Sequence, residues 1–176
     1  MNFRKSSTND IEKIVSIIND AKDYFKENKI DQWQGVYPNQ TDIKKDIANC
    51  TSYILEDKDE VVGTVSLSFE VENAYYEICG EWLSNDKYLT IHRMAIKNSY
   101  KGSNVSSLLI KNIERIAIEN NIYSIKVDTH EDNLVMKKFL EKNGFLYCGV
   151  VQYKEENQNL VKHIKRIAFE KVLVKG

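Results

Sequence analysis

Between Tyr88 and Leu109 an apolar run, Tyr88 to Ile96, leads through a polar loop carrying Lys101-Gly102-Ser103-Asn104 into residues with helical periodicity. A strand, a short loop and a helix start leave the first N–H groups of the helix without intrahelical partners, and the helix dipole adds partial positive charge there. A phosphate or pyrophosphate fits such a place, although Ser, Thr or Asn side chains cap many helix starts that follow polar loops. The chain is thereby restricted to folds in which a strand feeds a helix, and a phosphate-bearing cofactor is the first functional expectation.

Other segments place this unit in an α+β order. A strand near Phe3 precedes Ile11, Ile14, Val15, Ile17, Ile18, Ala21 and Phe25 at helical spacing, with Asn9 and Glu12 as a capping box, which predicts a helix over 10–28. A loop with Trp33, Gly35, Tyr37 and Pro38 leads to a second helix over 41–49. Runs 53–56 and 61–69 read as a hairpin, and 75–79 as a further strand. Strand 88–96 alternates, with Leu89, Ile91, Arg93 and Ala95 on one side and Tyr88, Thr90, His92, Met94 and Ile96 on the other. The helix after the loop shows Val105, Leu108, Leu109, Ile113, Ile116 and Ala117 on one face, and 124–128, a helix over 134–143 closed by Gly144, and strands 145–153 and 164–174 complete the order.

A chain of 176 residues, 42% hydrophobic and without a Pro- or Gly-rich linker, suits a single domain over 1–176. With 25 basic and 26 acidic residues the net charge is -1, which gives no electrostatic argument for nucleic acid or a membrane surface as partner. The start lacks an apolar signal core and no window reaches the roughly 18 apolar residues of a membrane span, so a cytoplasmic location is expected. Cys50, Cys79 and Cys148 are widely spaced, which suggests buried free thiols rather than a disulfide framework or a metal site.

The loop resembles the pyrophosphate loop of the GNAT superfamily of N-acetyltransferases, whose pattern is Arg or Gln, two residues, Gly, one residue, then Gly or Ala. Here the positions read Lys101, Gly102, Ser103, Asn104, Val105 and Ser106, so that Lys replaces the first residue and Asn104 and Ser106 replace the glycines. Asn tolerates a left-handed backbone and Ser is nearly as small as Ala, while Lys101 can neutralise a phosphate as a point charge; the replacements imply weakened cofactor binding. Asn133 and the pair Gly144-Phe145 also match the family. The strings Asp31-Gln32-Trp33-Gln34, Ile91-His92-Arg93 and Asp128-Thr129-His130 are similar to a bacterial subgroup of it.

The resemblance implies a GNAT acyltransferase fold, α+β, with a central mixed, mostly antiparallel sheet flanked by helices, and acetyl-CoA as cosubstrate. It implies acetyl transfer to a primary amine by direct attack in a ternary complex. Backbone amides of Met94, Ala95 and Ile96 would meet the pantetheine arm and thioester oxygen. Residues Lys101 to Ser107, Ser107 included, would hold the pyrophosphate, and Asn133 the pantetheine region, unless Asn133 only caps a helix.

An amine with a pKa of roughly 10.4 is protonated at neutral pH and needs a base. His92 is the first candidate, then Asp128 and His130; each has a structural alternative as a hydrogen-bonded strand or loop residue. The Tyr that many members place seven residues after the helix Asn is Leu140 here, leaving Tyr147 or Tyr153 to protonate the thiolate. Trp33, Tyr37 and Trp82 are candidates for a wall around the acceptor, a small-molecule or peptide amine. The altered loop and missing Tyr also suit a non-catalytic coenzyme A sensor or interaction module. The β-rich segment 164–174 offers an edge for a homodimer.

Overall fold

The computed structural model describes residues 1–157 and 160–174. In chain order it contains strand β1 (Asn2–Lys5), helices α1 (Ile11–Glu27) and α2 (Gln40–Ala48), and strands β2 (Ser52–Asp57), β3 (Glu60–Ser68), β4 (Cys79–Gly80) and β5 (Tyr88–Ile96). Helix α3 (Val105–Glu119), strand β6 (Ser124–Thr129), helix α4 (Leu134–Lys142) and strands β7 (Leu146–Asn157) and β8 (Leu160–Val172) follow. Contacts gather these elements into two compact units, Met1–Ser68 with Ile91–Ile116, and Phe69–Thr90 with Ala117–Gly176.

In the first unit β1 pairs antiparallel with β2, and β2 with β3. Lys58 and Asp59 both lie in the left-handed region (φ 47° and 69°), the conformation that a two-residue hairpin turn between right-twisted strands requires. The apolar stripe of α1 supplies Ile11, Ile14, Ile17 and Ile18 to a core shared with Ile43, Ile54, Val61 and Ala95. The capping box expected at Asn9 and Glu12 is formed instead by Ser7 and Asp10 around a 3-10 turn at Thr8–Asp10. Asp10 accepts from Ser7 N–H at 2.7 Å and takes both terminal nitrogens of Arg4, at 2.9 and 3.0 Å. An ion pair from β1 thus decides where the helix begins.

In the second unit β6 pairs antiparallel with β8, β8 with β7, and β7 with β4. Gly80 faces Gly149, and a Cβ on either would come within 2.2 or 2.3 Å of opposing backbone, so both positions exclude side chains. Gly144 (φ 82°) ends α4, its N–H bonded to Glu141 O at 3.0 Å and the Phe145 N–H to Leu140 O at 3.0 Å. The strand expected over 75–79 is corrected to a 3-10 turn at Asn73–Tyr75 and the two-residue β4. Trp82 Nε1 donates to the Tyr75 carbonyl at 3.0 Å, which occupies a group a strand ladder needs.

The last two strands form a longer hairpin than the sequence predicts, 146–157 with 160–172. A dimer edge along 164–174 is corrected over 167–172, because that stretch pairs with β6 on one side and, from 167 to 170, with β7 on the other. Of the three free cysteines only Cys148 is buried; Cys50 and Cys79 are exposed, against expectation. No helix among the described residues is long and apolar enough to cross a membrane.

Arg4 hydrogen bonds hold the Asp10 carboxyl down at about 2, against the burial that favours its neutral form. A carboxyl depressed on folding contributes stability that is complete above its unfolded value near 4 and is lost as pH falls toward 2. Because Arg4 is 35% exposed, solvent screens the pair and the contribution is expected to be about 1 kcal/mol. Urea denaturation should therefore show Asp10→Asn less stable than wild type at pH 7, with the gap closing between pH 4 and 2.

Candidate functional site

From Ile91 to Ile116 the strand–loop–helix segment belongs to the first unit, and its strand contains a break in alternation. Arg93, in the middle of β5, has φ 49°, a left-handed conformation that a non-glycine residue enters at a cost of about 1–2 kcal/mol. Its side chain holds it there. Nε and Nη2 donate to Asp46 of α2 at 2.8 and 2.7 Å, Nη1 to the Tyr37 hydroxyl at 2.5 Å, and Nη2 also to Ser66 Oγ at 3.2 Å. The period-two reading of β5, with Arg93 among its apolar neighbours, is corrected at this residue: Leu89, Ile91 and Ala95 are buried, while Arg93 turns to a polar network.

The kink directly precedes Met94, Ala95 and Ile96. Ala95 packs into the α1 core, and Gly63 of β3 leaves room for Ile96, whose Cδ1 would lie 2.9 Å from a Cβ at that position. His92 is half-buried, and burial together with the Arg93 charge pushes its pKa down to about 4. It is neutral at pH 7 and a weak proton acceptor.

After a 3-10 turn at Asn98–Tyr100, Gly102 takes the left-handed position (φ 78°) with nothing within 4 Å of a would-be Cβ. Asn104 lies outside that region, so its tolerance of left-handed backbone is not used. Ser103 Oγ donates to Tyr100 O at 2.5 Å and accepts from Val105 N–H at 3.3 Å, and the Leu108 N–H to Asn104 O bond, 2.9 Å, opens the α3 ladder. The amides of Ser106 and Ser107 thus precede the first helical bond. A cavity of about 560 Å³ lies beside the start of α3, lined by Met1, Tyr100, Ser103, Asn104, Val105, Ser107, Leu108 and Lys111. Lys101 Nζ lies 4.7 Å from the centroid of the Tyr24 ring. Trp33 covers the core edge-on to Phe25, ring centroids 5.5 Å apart, and Tyr37 is exposed apart from its bond to Arg93.

In the second unit Asp128 is the centre. Its Oδ2 accepts from the hydroxyls of Tyr75 at 2.8 Å and Tyr153 at 2.6 Å. Burial raises its pKa, and the two tyrosine bonds and Arg166 only partly offset that. Burial and the Asp128 charge raise Tyr75 and Tyr153 in turn. The Trp82 ring lies tilted against Tyr75, centroids 4.9 Å apart, and Lys126 Nζ sits 4.3 and 4.2 Å from the ring centroids of Trp82 and Tyr88.

The remaining candidates of this unit are more committed. His130 Nδ1 accepts from Asp132 N–H at 3.1 Å, so in the neutral ring Nε2 carries the hydrogen and the acceptor nitrogen is taken. Asn133 is buried and caps α4, its Oδ1 accepting from Met136 N–H at 3.1 Å and its Nδ2 donating to Thr129 Oγ1 at 3.2 Å. Tyr147 is 58% exposed, with its ring edge-on to Phe169. The sequence reading missed Arg93 with Asp46, and Lys126. For Lys126 the signal was present, a lysine and an aspartate two apart in an otherwise buried strand.

The sequence matches the model of the acetyltransferase (GNAT) family over residues 14–145. Among solved structures, a GNAT-family acetyltransferase from Streptococcus agalactiae is 29% identical, with 99% of this chain and 96% of that chain covered and a TM-score of 0.83. One from Listeria monocytogenes is 20% identical, with 98% and 94% covered and a TM-score of 0.72. The PaiA N-acetyltransferase from Thermoplasma acidophilum, in complex with coenzyme A, is 16% identical, with 97% and 98% covered and a TM-score of 0.67. No curated protein matches the sequence. The fold is the α+β GNAT fold, with eight strands and four α-helices among the described residues.

Replacing Arg93 by Met should cost about 2–3 kcal/mol in urea denaturation, because it leaves the buried Asp46 carboxylate without its cation. Arg93→Lys should recover only part of that, since one ammonium cannot reproduce the two parallel bonds to Asp46.

Proposed function

The chain belongs to the GNAT family of acetyltransferases, and from that premise we propose that it transfers acetyl from acetyl-CoA to a primary amine, with Asp128 as the base. The observation that carries the reading is the loop itself: Gly102 turns the backbone, and residues of the loop and of the first turns of α3, Lys111 among them, line a cavity of about 560 Å³. Those groups suit a pyrophosphate, since backbone donors, a helix N-terminus and a lysine favour the same charge. Lys101 to Ser107 would hold it, and the amides of Met94, Ala95 and Ile96 after the Arg93 kink would meet the pantetheine arm. Acetyl-CoA, when bound, supplies the activated acetyl thioester.

This chain's own residues must prepare the acceptor. An ammonium has to lose a proton before its nitrogen can form the new C–N bond, and the base should be a stronger acceptor than an ordinary carboxylate. His92, depressed to about 4, is poorly matched to that task, and the acceptor nitrogen of His130 is engaged. Asp128 is favoured on both counts. Its pKa is raised by burial, and its Oδ1 has no hydrogen-bond partner among the described residues, whereas Oδ2 carries both tyrosines. The C–S bond that breaks releases a thiolate, which with a pKa near roughly 8.5 leaves without a dedicated acid.

A thiol-release assay with acetyl-CoA and a panel of primary amines tests this. Release that depends on an amine is expected, and Asp128→Asn should lower kcat/KM by about a hundredfold or more. The wild-type rate should fall as pH drops through a value above the usual carboxylate range, because the base is then protonated, and Asp128→Asn should lack that limb. No release, together with no thermal stabilisation by coenzyme A, would end the proposal. In the loop, Gly102→Ala forces a side chain into the left-handed region and should raise the Kd for coenzyme A about tenfold by calorimetry, a change of about 1.4 kcal/mol.

A further inference from the structure

Lys126 is a charged residue in the middle of β6, and it is only 4% exposed. Two aromatic faces, Trp82 and Tyr88, flank its ammonium at 4.3 and 4.2 Å. Cation–π contact satisfies the charge in part but gives none of the three N–H groups an acceptor. Among the described residues none is within hydrogen-bonding reach. The acid opposite it in the ladder, Glu170, attracts the ammonium through its charge but spends its hydrogen-bonding capacity elsewhere: its oxygens accept from Leu83 N–H at 2.6 Å, Ser84 Oγ at 3.1 Å and Ser124 Oγ at 2.6 Å.

The ammonium is nevertheless not sealed. Among the described residues the fully enclosed polar side-chain atoms without a partner are Ser6 Oγ and Thr90 Oγ1. Lys126 Nζ and Asp128 Oδ1 are not among them, so neither tip is completely enclosed. Residues 126 and 128 are two apart on one strand, which puts them on the same face with their backbones roughly 7 Å apart. The same face of β6 therefore carries an ammonium without a hydrogen-bond acceptor and a carboxylate oxygen without a hydrogen-bond donor, with Glu170 and Arg166 acting on them only through their charge and with Tyr75, Trp82 and Tyr88 around them.

We propose that Lys126 binds a carboxylate of the acceptor, whose amine is received by Asp128 Oδ1, so that the acceptor is an amino acid or another amine with a carboxylate close by. The inference rests on the acetyltransferase reading for its chemistry, but its charge pairing is separate. A zwitterion supplies what each tip lacks: acceptors for the Lys126 N–H groups and donors for Asp128. A bare alkylamine would leave the ammonium of Lys126 buried and without an acceptor, which is the costly arrangement.

The test compares each L-amino acid with its carboxamide, which keeps shape and amine but removes the carboxylate charge. In wild-type protein kcat/KM for at least one acid should exceed that for its amide by tenfold or more. In Lys126→Met, which keeps the apolar stem, that ratio should fall toward one through KM, and Lys126→Arg should restore part of it. A lysine that only props the two rings apart would change acid and amide together and leave the ratio unmoved, which overturns the inference, as does a wild-type enzyme that prefers no acid over its amide. If no amine is acetylated, calorimetric titration of the same pairs reads the same ratio in Kd. Acid-selective binding lost in Lys126→Met then sustains the inference while the transfer reading fails, and no acid-selective binding overturns it.

Discussion

A left-handed arginine in the middle of a strand is the constraint on which the proposed cofactor site of the first unit depends. Strand β5 runs on to Ile96, and the turn at Arg93 breaks its alternation just before Met94, Ala95 and Ile96. The turn at Arg93 persists because it is over-determined: a forked guanidinium bonded twice to Asp46, once to Tyr37 and once to Ser66 leaves little freedom to relax. Strain held beside a proposed ligand-binding stretch is consistent with pre-organisation, since the backbone need not reorganise when a ligand arrives. The same network ties loop 30–40 to the strand through Tyr37, which explains why aromatic residues in that loop serve structure as well as surface.

The second unit is organised by buried acids. Glu170, fully buried, collects the Leu83 and Ser84 amides and two serine hydroxyls, and so fixes one part of segment 72–88. Asp128 fixes another through Tyr75. Glu72, which donates its amide to the Tyr88 hydroxyl at 3.0 Å, ties that segment to the start of β5. A stretch with little regular structure of its own is thereby held by side-chain hydrogen bonds.

That difference governs what could be read from the chain. The α1 stripe, the 57–60 turn, the strand–loop–helix segment and the Gly144 cap all obey local rules of period and turn chemistry, and each is found within a few residues of its expected place. Segment 75–79 was misread because Tyr75 has strand propensity, while its burial and its bond to Asp128, 53 residues away, decide its conformation. The start of α1 shifted for the same kind of reason, Arg4 drawing on Asp10. Asp128 and His92 were both visible as candidates from residue type alone. Their ranking was not, because burial, which raises one pKa and lowers the other, comes from tertiary packing that no local pattern records.

The degree to which each buried charge is satisfied separates support from function in this molecule. Arg93 and Glu170 have their polar atoms distributed among several partners, as expected of groups whose task is to hold backbone in place. Asp128 is half satisfied, with one oxygen carrying two tyrosine hydroxyls, and Lys126 has aromatic faces but no acceptor. Leaving a buried charge incompletely paired costs stability, and the carboxylate that attracts Lys126 across the ladder, Glu170, gives its hydrogen bonds to Leu83, Ser84 and Ser124 instead. Strand β6 thus bears an electrostatic cost that the fold alone does not require, and a ligand with the complementary pair of charges is what relieves it.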